Sequence, residues 1–177
     1  MRELILGGVR SGKSSLAERL AAESGLAVTY LATARADDVE MQERIRHHQA
    51  SRPTDWGLVE VKHDLAAVLA ARMAPERCLL VDCLTLWLTG LLLAEDENLL
   101  AAETAALLAL LPDIQGRLIM VGNETGLGVV PMGALTRRFC DEAGRLHQRL
   151  AARCDRVIMT VAGLPQVLKG EPTGLAG

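Results

Sequence analysis

Short apolar runs alternate along the chain with longer stretches in which apolar residues recur every three or four positions. The short runs predict buried β-strands, and the longer stretches predict amphipathic helices. Strands are predicted at residues 4–6, 28–31, 58–61, 78–82, 117–121 and 156–161. Helices are predicted at residues 14–24, 37–51, 65–73, 84–94, 99–111 and 134–153. Because strands that alternate with helices are typical of an open, mostly parallel sheet flanked by helices, we predict an α/β fold.

No feature of the pattern marks a boundary between domains. We find no internal repeat, linker or low-complexity segment, and 177 residues is a length typical of one domain. We therefore predict a single domain over residues 1–170. Residues 171–177 follow the last predicted element and contain glycine and proline, so we predict a flexible C-terminal tail.

Composition narrows the class of protein. The formal net charge of −3 argues against a nucleic-acid-binding protein with a strongly basic surface. The longest apolar stretch, residues 84–94, is shorter than the roughly twenty residues that a membrane-spanning helix needs, so no membrane span is expected. The 4 cysteines lack C-x-x-C spacing and no signal peptide is visible. We therefore expect reduced thiols in a cytoplasmic protein.

A glycine-rich motif joins the first predicted strand to the first predicted helix. It comprises Gly7, Gly8, Val9, Arg10, Ser11, Gly12, Lys13 and Ser14. This order fits the phosphate-binding pattern G-x-x-x-x-G-K-[ST], in which backbone N–H groups and the helix N-terminus surround phosphate oxygens. We expect Lys13 to reach the β- and γ-phosphates of a nucleotide and Ser14 to ligate Mg²⁺. The motif predicts a P-loop NTPase fold with a RecA-like sheet.

Asp82 ends the clearest buried strand of the pattern. An acidic residue at this place in a P-loop protein often holds Mg²⁺, either directly or through water. Aspartate is also a good N-cap, and a helix is predicted to begin at Leu84. Both interpretations, metal ligand and helix cap, are open from the residues alone, and we favour the metal ligand.

A second group of polar residues lies on the predicted helix at 37–51. Arg44, His48 and Arg52 are spaced four apart, so they share one helix face if the last turn continues. A neutral imidazole is a good nucleophile, and flanking guanidinium groups can hold phosphate and stabilise charge on the attacked phosphorus. A charged surface helix with incidental histidines explains the same spacing.

Several segments together resemble one enzyme family. They are the loop at residues 7–14, Ala32-Thr33, Arg44-Ile45-x-x-His48-x-x-x-Arg52-Pro53-x-x-Trp56, Leu80-Val81-Asp82-Cys83-Leu84-Thr85, Val121-x-Asn123-Glu124-x-Gly126-x-Gly128-x-Val130-Pro131 and Ala143-Gly144-Arg145. In this order they resemble the bifunctional adenosylcobinamide kinases / adenosylcobinamide-phosphate guanylyltransferases of cobalamin biosynthesis. The resemblance runs from residue 2 to about residue 168.

This resemblance implies two reactions at one nucleotide site. The enzymes of the family phosphorylate adenosylcobinamide with ATP or GTP. They then transfer GMP from GTP to adenosylcobinamide phosphate through a covalent GMP–histidine intermediate, giving adenosylcobinamide-GDP and pyrophosphate. The motif places the covalent histidine at His48, and an offset of one residue would place it at His47. The family also implies Mg²⁺ and a homo-oligomer, in which we suspect a trimer.

The resemblance further implies which residues contact the nucleotide. They are Gly7 through Ser14, Ala32, Thr33, Ala34, Gln49, Ala50, Ser51, Arg52, Glu60 and Asp82. Two positions depart from the family pattern: Asp82 stands where some relatives carry glutamate, and Val9 stands where alanine is usual. A shorter acidic side chain at residue 82 could move the Mg²⁺ or nucleotide contact.

Some interpretations remain open at this stage. Residues 123–128 follow a predicted strand end and are either a substrate-binding loop or a plain turn, and the resemblance favours substrate binding. His63 and His147 are expected at the surface. The alternatives for the whole protein are a plain P-loop kinase of small molecules and a RecA-like ATPase that drives assembly of macromolecules.

Overall fold

A computed structural model describes residues 1–33, 53–96 and 98–174. The predicted helix at 37–51 therefore lies outside the described residues. The strands are β1 (Arg2–Gly7), β2 (Ala27–Ala32), β3 (Gly57–Glu60), β4 (Arg77–Asp82), β5 (Arg117–Asn123), β6 (Arg156–Val161) and β7 (Leu164–Lys169). The helices are α1 (Lys13–Ala22), α2 (Leu65–Arg72), α3 (Leu84–Leu92), α4 (Leu99–Leu110) and α5 (Ala134–Arg153), with one 3₁₀ turn at Leu111–Asp113.

The seven strands form one sheet in the order β3-β2-β4-β5-β1-β6-β7. Every neighbouring pair from β3 to β6 is parallel, and only β7 runs antiparallel, alongside β6. Strand β5 lies between the strand that leads into the phosphate loop, β1, and the strand that ends in Asp82, β4. The predicted α/β fold, a mostly parallel sheet flanked by helices, is confirmed.

Alternating residues of the buried strands pack on opposite faces of the sheet. On one face, residues such as Ile5, Tyr30 and Leu80 form a buried cluster with Leu16 and Leu20 of α1. The other face packs against helices α2 to α5 and forms the larger cluster. Its largest buried side chain is Trp87, which is 0% exposed. The strands are aliphatic on both sides because helices cover both faces of this parallel sheet, which gives one buried cluster on each face.

The pattern analysis missed strand β7. The chain turns back after β6 through Ala162 and Gly163, both with positive φ, and Pro165 lies in the new strand. Proline is tolerated there because β7 is an edge strand. None of its residues is fully buried, and exposed residues alternate with half-buried ones along most of the strand. The strand therefore lacks the apolar run by which the other strands were predicted.

A buried ion cluster lies at the start of strand β1, at the edge opposite the phosphate loop. Glu3 is 0% exposed and accepts hydrogen bonds from Arg117 of β5, at 2.5 Å, and from Arg156 of β6, at 2.7 Å from its Nε. These three residues connect the ends of three adjacent strands. Because one carboxylate faces two guanidinium groups, Glu3 balances one of the two positive charges buried here, and both arginines also donate to backbone carbonyl oxygens.

No helix in the described parts of the chain combines the length and the apolar character needed to cross a membrane.

Candidate nucleotide-binding site

The phosphate loop connects β1 to α1 in a conformation that depends on glycine. Gly12 has φ +94°, a left-handed conformation that side chains disfavour. A Cβ added at Gly7 would lie 2.4 Å from the carbonyl oxygen of Thr160 and 2.6 Å from Oγ of Ser11. Among the described residues, no side chain caps the N-terminus of α1, and the first turn of the helix holds no acidic residue. The N–H groups and the positive end of this helix are therefore suited to an anion.

Lys13 lies inside this loop rather than in solvent. Its side chain is 7% exposed, and Nζ donates a hydrogen bond to the carbonyl oxygen of Gly8 at 2.5 Å. Burial lowers the pKa of Lys13, and the nearby Cys83 and Asp82 oppose that shift. The lysine ammonium is thus held over the loop, close to Asp82, where a phosphate would replace Gly8 as its partner.

The turn between β6 and β7 packs against the phosphate loop and forms a hydrogen bond with it. The backbone N–H of Gly163 donates to the carbonyl oxygen of Ser11 at 2.9 Å. A Cβ at Gly12 would lie 3.2 Å from Cα of Gly163, so the two backbones are packed closely. Sequence reasoning missed this contact because it missed β7. The Ala162-Gly163 pair, a two-residue turn between short apolar segments, was the available signal.

Asp82 ends β4 with its side chain on the face that α1 covers. The hydroxyl of Tyr30 donates to Oδ2 of Asp82 at 3.0 Å. The residue that caps α3 is Cys83, without a side-chain cap bond, so the helix-cap interpretation of Asp82 is wrong. Asp82 therefore lies at the carboxyl edge of the sheet with its carboxylate oriented by a tyrosine.

Thr33 connects the ends of β2 and β4. Its hydroxyl donates to the carbonyl oxygen of Cys83 at 2.7 Å and accepts the N–H of Cys83 at 2.8 Å. Ala32 pairs with Asp82 on one side and with Glu60 on the other. Glu60 is exposed on the edge strand β3. It lies four strands from β1, or about 19 Å at ordinary strand spacing.

The predicted nucleotide contacts within the described residues all lie at the carboxyl edge of the parallel strands. They are Gly7, Gly8, Val9, Arg10, Ser11, Gly12, Lys13, Ser14, Ala32, Thr33, Glu60 and Asp82. This edge is where open α/β sheets bind ligands. The remaining predicted residues, Ala34, Gln49, Ala50, Ser51 and Arg52, and both candidate nucleophiles, His47 and His48, lie outside the described residues.

The donors at this edge are suited to a magnesium ion. Mg²⁺ prefers hard oxygen ligands and is commonly held by one or two protein oxygens together with phosphate and water. Ser14 offers a hydroxyl in the first turn of α1, next to Lys13, and Asp82 offers a carboxylate that interacts electrostatically with Lys13. These two residues therefore fit a Mg²⁺ that accompanies a bound nucleotide.

The segment after β5 approaches the same loop. The N–H of Glu124 donates to the carbonyl oxygen of Gly7 at 2.9 Å, and the N–H of Asn123 donates to Oγ1 of Thr85 at 2.8 Å. Beyond them the chain exposes several apolar side chains, namely Leu127, Val129, Val130 and Met132. An exposed apolar segment of this size beside a phosphate site is suited to contact with a bulky substrate or a partner chain.

His147 is buried, which corrects the expectation that it lies at the surface. It is 8% exposed on the inner face of α5, and a Cβ at Gly122 would lie 3.0 Å from its Nε2. Burial lowers the pKa of His147, while the charge of Glu124 acts in the opposite direction. The signal was its spacing, since Ala143, Leu146, His147 and Leu150 form the buried stripe of α5.

All four cysteines are free, as the sequence predicts. Burial, together with the negative charge of the neighbouring Asp82, raises the pKa of Cys83 to about 11. The thiol of Cys83 is therefore protonated at neutral pH, although it lies beside Lys13.

Comparisons with known proteins agree on one family. The model of the family described as cobinamide kinase / cobinamide phosphate guanyltransferase matches residues 3–168. The bifunctional adenosylcobalamin biosynthesis protein CobP of Pseudomonas aeruginosa is 63% identical over 172 residues, covering 97% of this chain and 99% of that protein. The corresponding CobU of Salmonella typhimurium is 37% identical, covering 96% of this chain and 100% of that protein.

A solved structure from Pyrococcus horikoshii is similar in fold alone, with 10% identity and a TM-score of 0.55 over 97% of this chain and 87% of that one. The sequence relatives carry the assignment. Together with the phosphate loop and the carboxyl-edge site, they show that this chain belongs to the cobinamide kinase / cobinamide phosphate guanyltransferase family of enzymes.

Proposed function

We propose that this protein catalyses both reactions of its family. In the first, ATP or GTP phosphorylates the aminopropanol hydroxyl of adenosylcobinamide. In the second, GMP passes from GTP to adenosylcobinamide phosphate, giving adenosylcobinamide-GDP and pyrophosphate. The observation that carries this proposal is the location of Lys13 and Asp82 at one edge of the sheet, within a chain that matches the family from residue 3 to residue 168.

The residues of the phosphate loop account for the kinase step. The uncapped N-terminus of α1 and the loop N–H groups bind the phosphates, and the ammonium of Lys13 exchanges Gly8 for the β- and γ-phosphates. The substrate hydroxyl then attacks the γ-phosphorus and gives up its proton to solvent, while the bond from that phosphorus to the β–γ bridging oxygen breaks. Lys13 stabilises the charge that develops on the transferred group.

The guanylyl transfer needs a nucleophile that the phosphate loop does not contain. We assign this role to His48, with His47 as the alternative. A neutral imidazole nitrogen attacks the α-phosphorus of GTP, an N–P bond forms, and pyrophosphate leaves. A phosphate oxygen of adenosylcobinamide phosphate then attacks the same phosphorus, and the N–P bond breaks. The flanking Arg44 and Arg52 are suited to hold the triphosphate during this exchange.

Ser14 and Asp82 are the residues that we assign to Mg²⁺. When bound, the ion supplies charge neutralisation to the phosphate oxygens in both reactions. We further propose that the protein acts in the cytoplasm as a homo-oligomer, and a trimer is the form that the family suggests. The exposed apolar side chains at Leu127, Val129 and Met132 support an oligomer or a substrate contact on this side of the site.

Two differently labelled nucleotides test this proposal. Purified protein is incubated with Mg²⁺ and adenosylcobinamide, together with GTP labelled either at the γ- or at the α-phosphate. We expect the γ-label in adenosylcobinamide phosphate and, because the second reaction retains that phosphate, also in adenosylcobinamide-GDP, whereas the α-label enters adenosylcobinamide-GDP alone. Transfer of the γ-label alone would identify a plain kinase. Nucleotide hydrolysis that ignores the corrinoid and responds to a polymer would instead favour a RecA-like assembly ATPase.

A further inference from the structure

We propose that Tyr30 is a positioning residue for magnesium binding, acting through its hydrogen bond to Asp82. This inference rests on the proposed function, because it takes Asp82 as the carboxylate that meets Mg²⁺ with the nucleotide. Tyr30 itself touches neither the nucleotide nor the metal in this account. It orients the group that does.

The register of the parallel strands brings the two side chains together. Tyr30 of β2 pairs with Leu80 of β4, and Ala32 pairs with Asp82. Asp82 is two residues beyond Leu80, so it shares a face of the sheet with Tyr30 and is its diagonal neighbour. Diagonal pairs of this kind are within reach of aromatic side chains. The tyrosine hydroxyl accordingly reaches Oδ2 of Asp82 at 3.0 Å.

The ring of Tyr30 cannot easily change position. It is 4% exposed and belongs to the buried cluster that includes Leu16 of α1 and Leu80 of the same sheet. The backbone on the far side of Asp82 is held separately, since Thr33 bonds both the N–H and the carbonyl oxygen of Cys83. Asp82 is thus fixed at its backbone by Thr33 and at one carboxylate oxygen by Tyr30.

In this arrangement the two oxygens of the Asp82 carboxylate have different surroundings. Oδ2 accepts the tyrosine hydroxyl, and within the described part of the chain Oδ1 accepts no hydrogen bond. Hydrogen bonds to a ligating carboxylate fix its orientation, and their loss typically weakens metal binding by about 10–100-fold. The short aspartate side chain has few rotamers, so the hydrogen bond from Tyr30 would decide how Asp82 presents its other oxygen to a Mg²⁺ that Ser14 also ligates.

The test measures metal affinity rather than turnover. Wild-type protein and Tyr30→Phe are saturated with the β,γ-imido analogue of GTP and titrated with Mg²⁺. We expect Mg²⁺ affinity to fall about tenfold in Tyr30→Phe, with binding of the analogue in EDTA unchanged. Thr29→Val is the matched control, because it removes a buried hydroxyl from the same strand on the opposite face. Its Mg²⁺ affinity should equal that of the wild type.

A double-mutant cycle with Asp82→Asn separates the outcomes. If Tyr30 acts through Asp82, the Tyr30→Phe effect disappears in the Asp82→Asn background. If Asp82→Asn weakens Mg²⁺ binding and Tyr30→Phe does not, the role of Tyr30 is overturned and the proposed function stands. If Asp82→Asn leaves Mg²⁺ affinity unchanged, the metal assignment in the proposed function fails, and this inference fails with it.

A spectroscopic measurement on the unmodified protein gives an independent test. Tyr30 is the only tyrosine in the chain, so ¹³C labelling of the phenolic carbon gives one signal. We expect that signal to shift when Mg²⁺ is added to the analogue complex, and to stay unchanged in Asp82→Asn. An unchanged signal in wild-type protein that binds Mg²⁺ would overturn the inference.

Discussion

The hydroxyl of Thr33 forms two hydrogen bonds with the backbone of Cys83, donating to its carbonyl oxygen at 2.7 Å and accepting its N–H at 2.8 Å. One side chain at the end of β2 thereby satisfies both polar groups of the residue that follows Asp82. The Ala32-Thr33 segment was expected to contact the nucleotide. That contact stays a prediction, and in the structure the threonine side chain holds the ends of two strands together.

This relationship predicts the effect of removing the hydroxyl. Thr33→Val leaves the N–H and the carbonyl oxygen of Cys83 without their partner, so we expect the free energy of unfolding to fall by about 2 kcal/mol. Thr33→Ser keeps the hydroxyl and should recover most of that loss. Urea unfolding of the three proteins measures both effects, and equal stability of the valine and serine variants would contradict the account.

Lys13 offers a test that separates binding from folding. Lys13→Met removes the ammonium that we expect to bind phosphate, so nucleotide affinity should fall about 10–100-fold. The melting temperature should not fall, because burial lowers the pKa of Lys13 and the methionine removes a charge that the interior disfavours. Lys62→Met, on the exposed Lys62, is the matched control and should change neither quantity. A Lys13→Met variant that binds GTP normally would argue against this site.

Glu3 is predicted to matter for stability and not for the reaction. Glu3→Gln leaves Arg117 and Arg156 buried with their charge uncompensated, so we expect a loss of about 3–5 kcal/mol in the free energy of unfolding. Asp155→Asn breaks the more exposed pair with Arg2 and should cost about 0–1 kcal/mol. Chemical denaturation measures the two losses, and similar costs at both positions would contradict the prediction.

His147 predicts a dependence of stability on pH. Burial lowers its pKa in the folded protein, so below the ordinary pKa of 6.5 the unfolded chain binds the proton more readily than the folded protein does. The contribution of His147 to stability is therefore complete above pH 6.5 and decreases as the pH falls below it. Between pH 8 and pH 5, the melting temperature of His147→Gln should fall less than that of the wild type. Parallel curves for the two proteins would show that His147 does not titrate in this way.

Local pattern was sufficient for the fold and for the family. The strand ending at Gly7, the loop to Ser14 and the helix behind it are contiguous in the chain, so their chemistry can be recognised without knowing how the strands pair. The same holds for the buried strand that ends in Asp82. The α/β fold and the family are confirmed, whereas the roles of the individual site residues remain predictions.

The missed features depend on contacts between distant residues. Tyr30 and Asp82 are 52 positions apart, and their hydrogen bond follows from the register of β2 and β4, which no local pattern encodes. Gly163 supports Ser11 only because β7 folds back beside β6. The wrong prediction for His147 has a different cause. Its spacing from Leu146 and Leu150 indicates the buried stripe of α5, but histidine is a polar residue, and its polarity alone suggested the surface.

Covalent capture of GMP tests the central claim most directly. The pure protein is incubated with Mg²⁺ and α-labelled GTP and then denatured, and retained label is measured in the wild type, His48→Ala and His47→Ala. We predict acid-labile, base-stable label that is lost in His48→Ala and kept in His47→Ala. Loss in His47→Ala alone would keep the guanylyltransferase and move the nucleophile by one residue. No retained label in folded wild-type protein that binds GTP would contradict the covalent mechanism and favour a plain kinase.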